Sequence, residues 1–219
     1  MDLVLATRNR AKFAEIVEIL RGLPAVLISL EESGFQDVVE ETGQSYMENA
    51  ALKALSVAAA TGRVTLAEDS GLEVEALGGH PPGGHPPSGY PGVRSARFGG
   101  PGLDDIARVA LLLRRLESVP EEGRRARFIC VVALADPAGE VRFCQGSCEG
   151  VIAREARGNS GFGYDPVFLV PALGKTFAEL PGKVKNTISH RGRALQKARA
   201  LLERVCREGT FPQIKGGSE

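Results

Sequence analysis

The chain has 219 residues, 43% of them hydrophobic and 25% charged, which suffices for a full core in one large domain or two closely packed lobes. Its 27 lysines and arginines balance its 27 aspartates and glutamates, and only 5% of residues are aromatic, so non-specific binding to nucleic acid or an anionic membrane is disfavoured. No segment approaches the length of a membrane span, and the start Met1-Asp2-Leu3-Val4 lacks the basic and long apolar regions of a secretory signal, which points to a cytoplasmic protein.

Leu3 to Ala6 forms a short apolar run that ends in the polar turn Thr7-Arg8-Asn9-Arg10. Phe13, Ile16, Val17 and Leu20 then follow helical spacing until Gly22 and Pro24 stop the helix. Val26 to Leu30 reads as a second strand. Ser45-Tyr46-Met47-Glu48 has the form of a capping box and opens a helix through Ala60, closed by Gly62. Val64 to Ala67 reads as a buried strand followed by a polar turn, Glu68-Asp69-Ser70-Gly71.

Residues 78–92 are crowded with glycine and proline and read as a flexible, solvated loop, its two histidines included. A helix is predicted over Leu103 to Leu116. Phe128 to Ala135 and Glu140 to Cys148 form a hairpin around Asp136-Pro137-Ala138-Gly139. The last helix runs from His190 to Cys206, with Ser189 as its N-cap. Cys130, Cys144, Cys148 and Cys206 offer no complete zinc ligand set, so buried free thiols in a reducing compartment are expected. Strands alternating with helices, then a hairpin, predict an α/β fold with a mixed sheet.

Four clusters carry potential chemistry. Thr7-Arg8-Asn9-Arg10-Ala11-Lys12 stands where a strand feeds a helix start, a natural seat for phosphate, although a plain surface turn explains it as well. Glu40-Glu41 and Glu68-Asp69 are two acidic pairs, the second at a predicted strand end where α/β folds bind ligands. Meeting, they would suit Mg²⁺, which takes one or two carboxylates alongside phosphate oxygens; apart, they are solvated turns. Gly161-Phe162-Gly163-Tyr164-Asp165-Pro166 gives close backbone approach and an aromatic face for a base, with Asp165 to accept a base N–H, or else a turn with two core aromatics. Lys183 to Arg191 places Lys185, His190 and Arg191 near a helix N-terminus, where cations oppose the helix dipole and call for an electron-rich partner.

In their order, Thr7-x-Asn9-x-x-Lys12, Glu40-Glu41-Thr42-Gly43, Glu48-Asn49-Ala50 with Lys53, Glu68-Asp69-Ser70-Gly71-Leu72, Pro91-Gly92-Val93 with Ser95-Ala96-Arg97, Phe162-Gly163-Tyr164-Asp165-Pro166, and Lys185-Asn186 with Ser189-His190-Arg191 closely resemble the inosine triphosphate pyrophosphatase (Ham1-like) family. The match runs from about Leu3 to Leu201. The resemblance implies a single ITPase-like domain over 1–219, elongated and two-lobed around a long mixed β-sheet with flanking helices, its active site in the inter-lobe cleft. It also implies a homodimer, and hydrolysis of ITP, dITP or XTP to the monophosphate and pyrophosphate by Mg²⁺-assisted attack of water at the α-phosphate.

On the matching positions, Thr7, Asn9, Lys12 and Lys53 would hold the triphosphate, with Arg8, Arg10, Ala11 and Ser70 also substrate-binding. Glu40 and Asp69 would bind Mg²⁺, with Glu41 or Glu68 as substitutes, and Asp69 would be the base or only a ligand. Phe162, Gly163, Tyr164 and Asp165 would receive the purine, while Lys185, His190 and Arg191 would read its 6-oxo group. An acceptor at that position satisfies donors that adenine's amino group would leave unpaired.

The chain departs from the family pattern in three ways. Glu68 stands where the family usually has a second aspartate, a Pro/Gly stretch splits the segment between Gly79 and Pro91, and Arg94 replaces a usual tyrosine. Two rival functions remain at this level: a related pyrophosphatase for pyrimidine or modified nucleotides, and a nucleotide sensor without turnover.

Overall fold

The structure is a computed structural model that describes residues 1–78, 91–209 and 211. In chain order the main elements are β1 (Asp2–Leu5), α1 (Arg10–Ile19), β2 (Val26–Ser29), α2 (Tyr46–Thr61), β3 (Val64–Val74), α3 (Asp105–Arg115), β4 (Arg125–Ala135), β5 (Val141–Ile152), β6 (Phe168–Val170), β7 (Lys175–Thr176), α4 (Gly182–Ile188) and α5 (His190–Glu208). The strands form one mixed sheet in the order β2-β1-β3-β4-β5-β6-β7. β1 lies parallel to both β2 and β3, and every later pairing is antiparallel. The α/β architecture with a mixed sheet and flanking helices is as expected.

Local chemistry sets the helix limits. Ser45 accepts the Glu48 N–H, the Glu48 carboxylate accepts the Gln44 N–H, and Gly62 closes α2 in the left-handed region at φ 65°. Ser189 caps α5 by accepting the Gly192 N–H, in the place the sequence assigned it.

Two expectations on strand length are corrected. Glu68-Asp69-Ser70-Gly71 is not a turn after a strand ending at Ala67. β3 continues through it to Val74, because β4 pairs with it residue by residue from Thr65↔Ala135 to Val74↔Ala126. An antiparallel partner supplies the backbone bonds, so polar side chains do not end the strand. The hairpin likewise extends to Arg125 and Ile152, beyond the predicted Phe128 and Cys148. The expected loop at 78–92 falls, from 79 to 90, outside the described residues.

Alternation along β3 divides the interior. Leu66, Leu72 and Val74 face one side of the sheet, Ala67 the other. On the first side, Leu66, Cys130, Val132 and Leu134 pack with α1 and α5. Farther along the same side, Leu72, Val74 and Phe128 pack with Val109 and Leu112 of α3 and with Phe168 and Phe177. α2 covers the opposite side over Ala67, Val131 and Ala133. Between the two apolar clusters, the β3 positions on the first side are Glu68 and Ser70, a polar gap in an otherwise apolar face.

Candidate active site

β1 ends at Leu5, and beyond the Ala6 N–H bond to the Leu66 carbonyl (2.7 Å) it no longer covers the edge of β3. The exposed Glu68 carbonyl is taken instead by Lys53 Nζ from α2, at 2.9 Å. Strand alternation then sends Glu68 and Asp69 to opposite faces of the sheet. The two acidic neighbours therefore do different things.

Glu68 is buried on the α1/α5 face. Its carboxylate lies 2.6 Å from Lys12 Nζ and 3.4 Å from the Arg191 guanidinium, and accepts the Cys130 thiol at 3.3 Å. Burial alone would raise its pKa, but Arg191 and Lys12 outweigh burial and hold it well below the usual carboxylate range. Burial, and then the Glu68 charge, push the Cys130 thiol well up. All four cysteines are free, Cys130 and Cys148 buried and the other two partly so.

Asp69 faces α2. Its Oδ2 accepts from Asn49 Nδ2 at 3.2 Å, and its Oδ1 lies 3.8 Å from Lys53 Nζ. Burial raises its pKa to about 6; Lys53 and Lys12 pull against this, and Glu41 and Glu68 add to it. Lys53 also bonds Glu41 at 2.6 Å. Against its own burial, Asp69 and Glu41 keep its pKa raised. Glu41 is half-buried and also meets Arg97 at 3.3 Å, whereas Glu40 is exposed.

The N-terminal segment only partly matches a seat of free N–H groups. Asn9 Oδ1 caps α1 by accepting the Ala11 and Lys12 N–H groups, and Thr7 Oγ1 accepts the Asn9 N–H. Arg8 bonds the carbonyls of Gln36 and Asp37, and Arg10 is exposed. Thr7, Arg8, Asn9, Lys12, Glu41 and Lys53 line one pocket of about 300 Å³, together with Glu68.

A second pocket opens in the polar gap between the apolar clusters, and Asn9, Lys12 and Ala96 wall both. It measures about 130 Å³ among Ser70, Phe128, Phe162, Asp165, His190 and Arg191. Phe162 stands beneath Lys185 Nζ and the Arg191 guanidinium, 4.9 and 5.4 Å from its ring centroid.

The loop that carries Phe162 is held by carboxylates. Asp165 is buried, and its Oδ2 accepts both the Phe162 N–H (2.9 Å) and Lys185 Nζ. Asp105 of α3 takes the next N–H, that of Gly163, at 2.8 Å. Tyr164 is buried with its hydroxyl on the Ser95 carbonyl, and it lines the pocket together with Phe162 and Phe128.

Lys185 belongs to α4, a helix absent from the sequence reading, and only His190 and Arg191 begin α5. The cations at that N-terminus do have partners. Glu15 of α1 bonds Lys185 and Arg191, each at 2.7 Å, and Ser70 accepts from Arg191 at 3.1 Å. His190 stacks on Phe128 with ring centroids 4.5 Å apart. Burial and then Arg191 depress its pKa well below 6.5, so the ring is neutral. Two buried polar atoms of this wall, His190 Nδ1 and Arg191 Nε, have no hydrogen-bond partner.

The positions sequence reasoning missed are Glu15, Asn49, Asp105 and Arg108. Asn49 stood inside a quoted motif without a role. The other three are charged residues on amphipathic helices, where a solvated face is the default reading and no spacing betrays an inward turn.

Comparison with known proteins follows the same outline. The Ham1 family model matches residues 3–201. A dITP/XTP pyrophosphatase of Desulforamulus reducens is 50% identical over 206 residues, covering 94% of this chain and 97% of the relative. One of Thermus thermophilus is 47% identical, covering 93% and 91%. Among solved structures, a HAM1 protein from Coxiella burnetii superposes with a TM-score of 0.81 at 41% identity, covering 93% of this chain and 99% of that one. The Staphylococcus aureus Ham1 protein gives 0.79 at 37% identity, with the same coverage.

Proposed function

The chain belongs to the Ham1 family, and from that premise we infer that it hydrolyses non-standard purine nucleoside triphosphates, of the dITP and XTP kind, to the monophosphate and pyrophosphate. The observation that carries this reading is the pair of adjoining pockets. One has aromatic side chains, His190 and Arg191 in its wall. The other is lined by lysines and carboxylates, and Asn9 and Lys12 stand between them.

The base enters under Phe162, with its 6-oxo group toward Arg191 and His190. A guanidinium has only donors to offer, so an acceptor at position six is matched there and adenine's amino group is not. Lys12 and Lys53 draw the phosphates into the second pocket as compact point charges. Glu68 aligns Lys12 and Arg191 through its buried carboxylate.

Asp69 takes a proton from water. The water oxygen forms a bond to the α-phosphorus, the α–β anhydride bond breaks, and pyrophosphate leaves. Burial serves this role by raising the Asp69 pKa toward the working range of a general base. Asp69 and Glu41, with Glu40 at the exposed rim, offer oxygen ligands only. They already accommodate the Lys53 ammonium between them, so their spacing suits a cation. Mg²⁺ held there would neutralise charge gathering on the phosphoryl oxygens. The chain acts in the cytoplasm as a single-domain homodimer.

The test incubates the protein and Mg²⁺ separately with ITP, XTP, GTP, ATP and dTTP, and measures pyrophosphate and orthophosphate. Pyrophosphate from ITP and XTP, with little from the others, is the expected result. Orthophosphate as first product, or a preference for dTTP, would overturn the reaction or the substrate respectively.

A further inference from the structure

The described reading of the base accounts for position six and leaves position two, where guanine carries an amino group. Arg108 of α3 lines the base pocket and is buried, with 8% of its surface exposed. Its guanidinium is fixed by two neutral groups, giving Nη1–H to the Phe98 carbonyl at 2.7 Å and Nη2–H to the Leu103 carbonyl at 2.6 Å. No carboxylate among the described residues bonds it. Asp105, one turn earlier on α3 and in the same pocket wall, spends Oδ2 on the Gly163 N–H.

A buried cation with no counter-ion is costly to keep, and two carbonyls leave three of its five N–H groups to be placed. This local cost sits in the wall of a binding pocket, where such conflicts mark function. α3 and α5 both line that pocket, each packed over its own apolar cluster on one face of the sheet.

We propose that Arg108 is a specificity-determining residue that reads the 2-position of the purine. This deepens the pyrophosphatase reading and rests on it for the identity of the pocket. A purine that enters past Asn9 and Lys12, with its 6-oxo edge on α5, turns its other flank toward α3. There xanthine presents a carbonyl oxygen, hypoxanthine a hydrogen and guanine an amino group. The Arg108 guanidinium, which only donates, bonds the first, tolerates the second and meets the third N–H against N–H. Rejection of guanine then comes from the site's own unpaired donors.

The test measures calorimetric Kd values for the monophosphates of xanthosine, inosine and guanosine, alongside turnover of the triphosphates, in the full chain, R108M and R108K. R108M keeps the bulk and removes the donors. It is expected to weaken the xanthosine nucleotide by about tenfold to a hundredfold relative to inosine, and to narrow the gap between guanosine and inosine. R108K keeps the charge but cannot hold both carbonyls and also face a base, so it shifts the same two ratios by less; it carries the test should R108M fail to fold. Ratios that stay constant, with all three nucleotides weakened alike, would reduce Arg108 to a tie between Phe98 and Leu103 and overturn the proposal. Nucleotide binding is read without turnover. Failure of the wild-type chain to release pyrophosphate would therefore sink the reaction and leave this inference to be decided by the Kd ratios.

Discussion

Asp69 shows how burial trades stability for chemistry. Its carboxyl titrates near 6, above the range of about 4 expected when unfolded. A raised carboxyl pKa gives stability that is full below the unfolded value and lost as pH rises through the folded one. At pH 8 the ionised, buried carboxylate is thus a burden on the fold. Asp69→Asn should raise metal-free stability by roughly 1–3 kcal/mol at pH 8, with the gain vanishing toward pH 4, as read from denaturant unfolding at both pH values. The same variant should lose about 10²–10⁴ in kcat while still binding nucleotide. If Asp69 is the base, wild-type kcat/KM should fall as pH drops through the range in which its carboxyl takes up a proton. A variant with unchanged turnover, or a profile flat down to pH 4, would remove Asp69 from the proton transfer.

At the scale of elements, α5 is positioned by the absence of a side chain. A Cβ on Gly146 of β5 would meet the His190 carbonyl oxygen and the Ala194 nitrogen well inside contact distance, so the helix start that carries His190 and Arg191 rests directly on β5 backbone. Gly146→Ala should push α5 off the sheet, cost about 1–3 kcal/mol of stability and raise KM for ITP. Binding of inorganic tripolyphosphate, which uses only the lysine pocket, should hardly change; equal losses for both ligands would contradict the separation of the pockets.

Much of this level was legible in the sequence. Ser45, Gly62 and Ser189 announced their helix ends because capping is a local affair between neighbours in the chain. The length of β3 was not legible, since its polar centre is stabilised by β4, some sixty residues away. α4 and the two short strands β6 and β7 were missed for a related reason: each is too short to show a period. Within the site, the motifs supplied the residue types but not their directions. Only the pleat of β3 reveals that Glu68 and Asp69 part company, and only the placing of α1 and α3 brings Glu15, Asp105 and Arg108 to the site.

For the molecule as a whole, three apolar clusters on the two faces of one sheet carry the fold, and none of them includes the carboxylates assigned to metal. Among the described residues, no group of three or more histidine, cysteine, aspartate or glutamate side chains gathers to hold a metal ion, and no helix is long and apolar enough to cross a membrane. On the proposed function, metal would arrive with the substrate and would not brace the chain. Adding a chelator should therefore abolish pyrophosphate release, with recovery on excess Mg²⁺. The far-ultraviolet circular dichroism should stay constant and Tm should move by no more than about 2 °C, on the order of half a kcal/mol for a chain this size. Unfolding on chelation would mean a structural metal that the apolar clusters give no reason to expect.

The parity of β3 also bears on how such a gene can change. A substitution at Glu68 or Asp69 alters the reach of one acid and leaves the other in place. One codon gained or lost between Val64 and Glu68 does something different, because it turns every following side chain to the opposite face. The acid that clamps Lys12 and Arg191 would then stand beside Lys53, and the proton acceptor beside Cys130. Drift can rewrite the letters of this strand one at a time, but it has almost no freedom to alter their number.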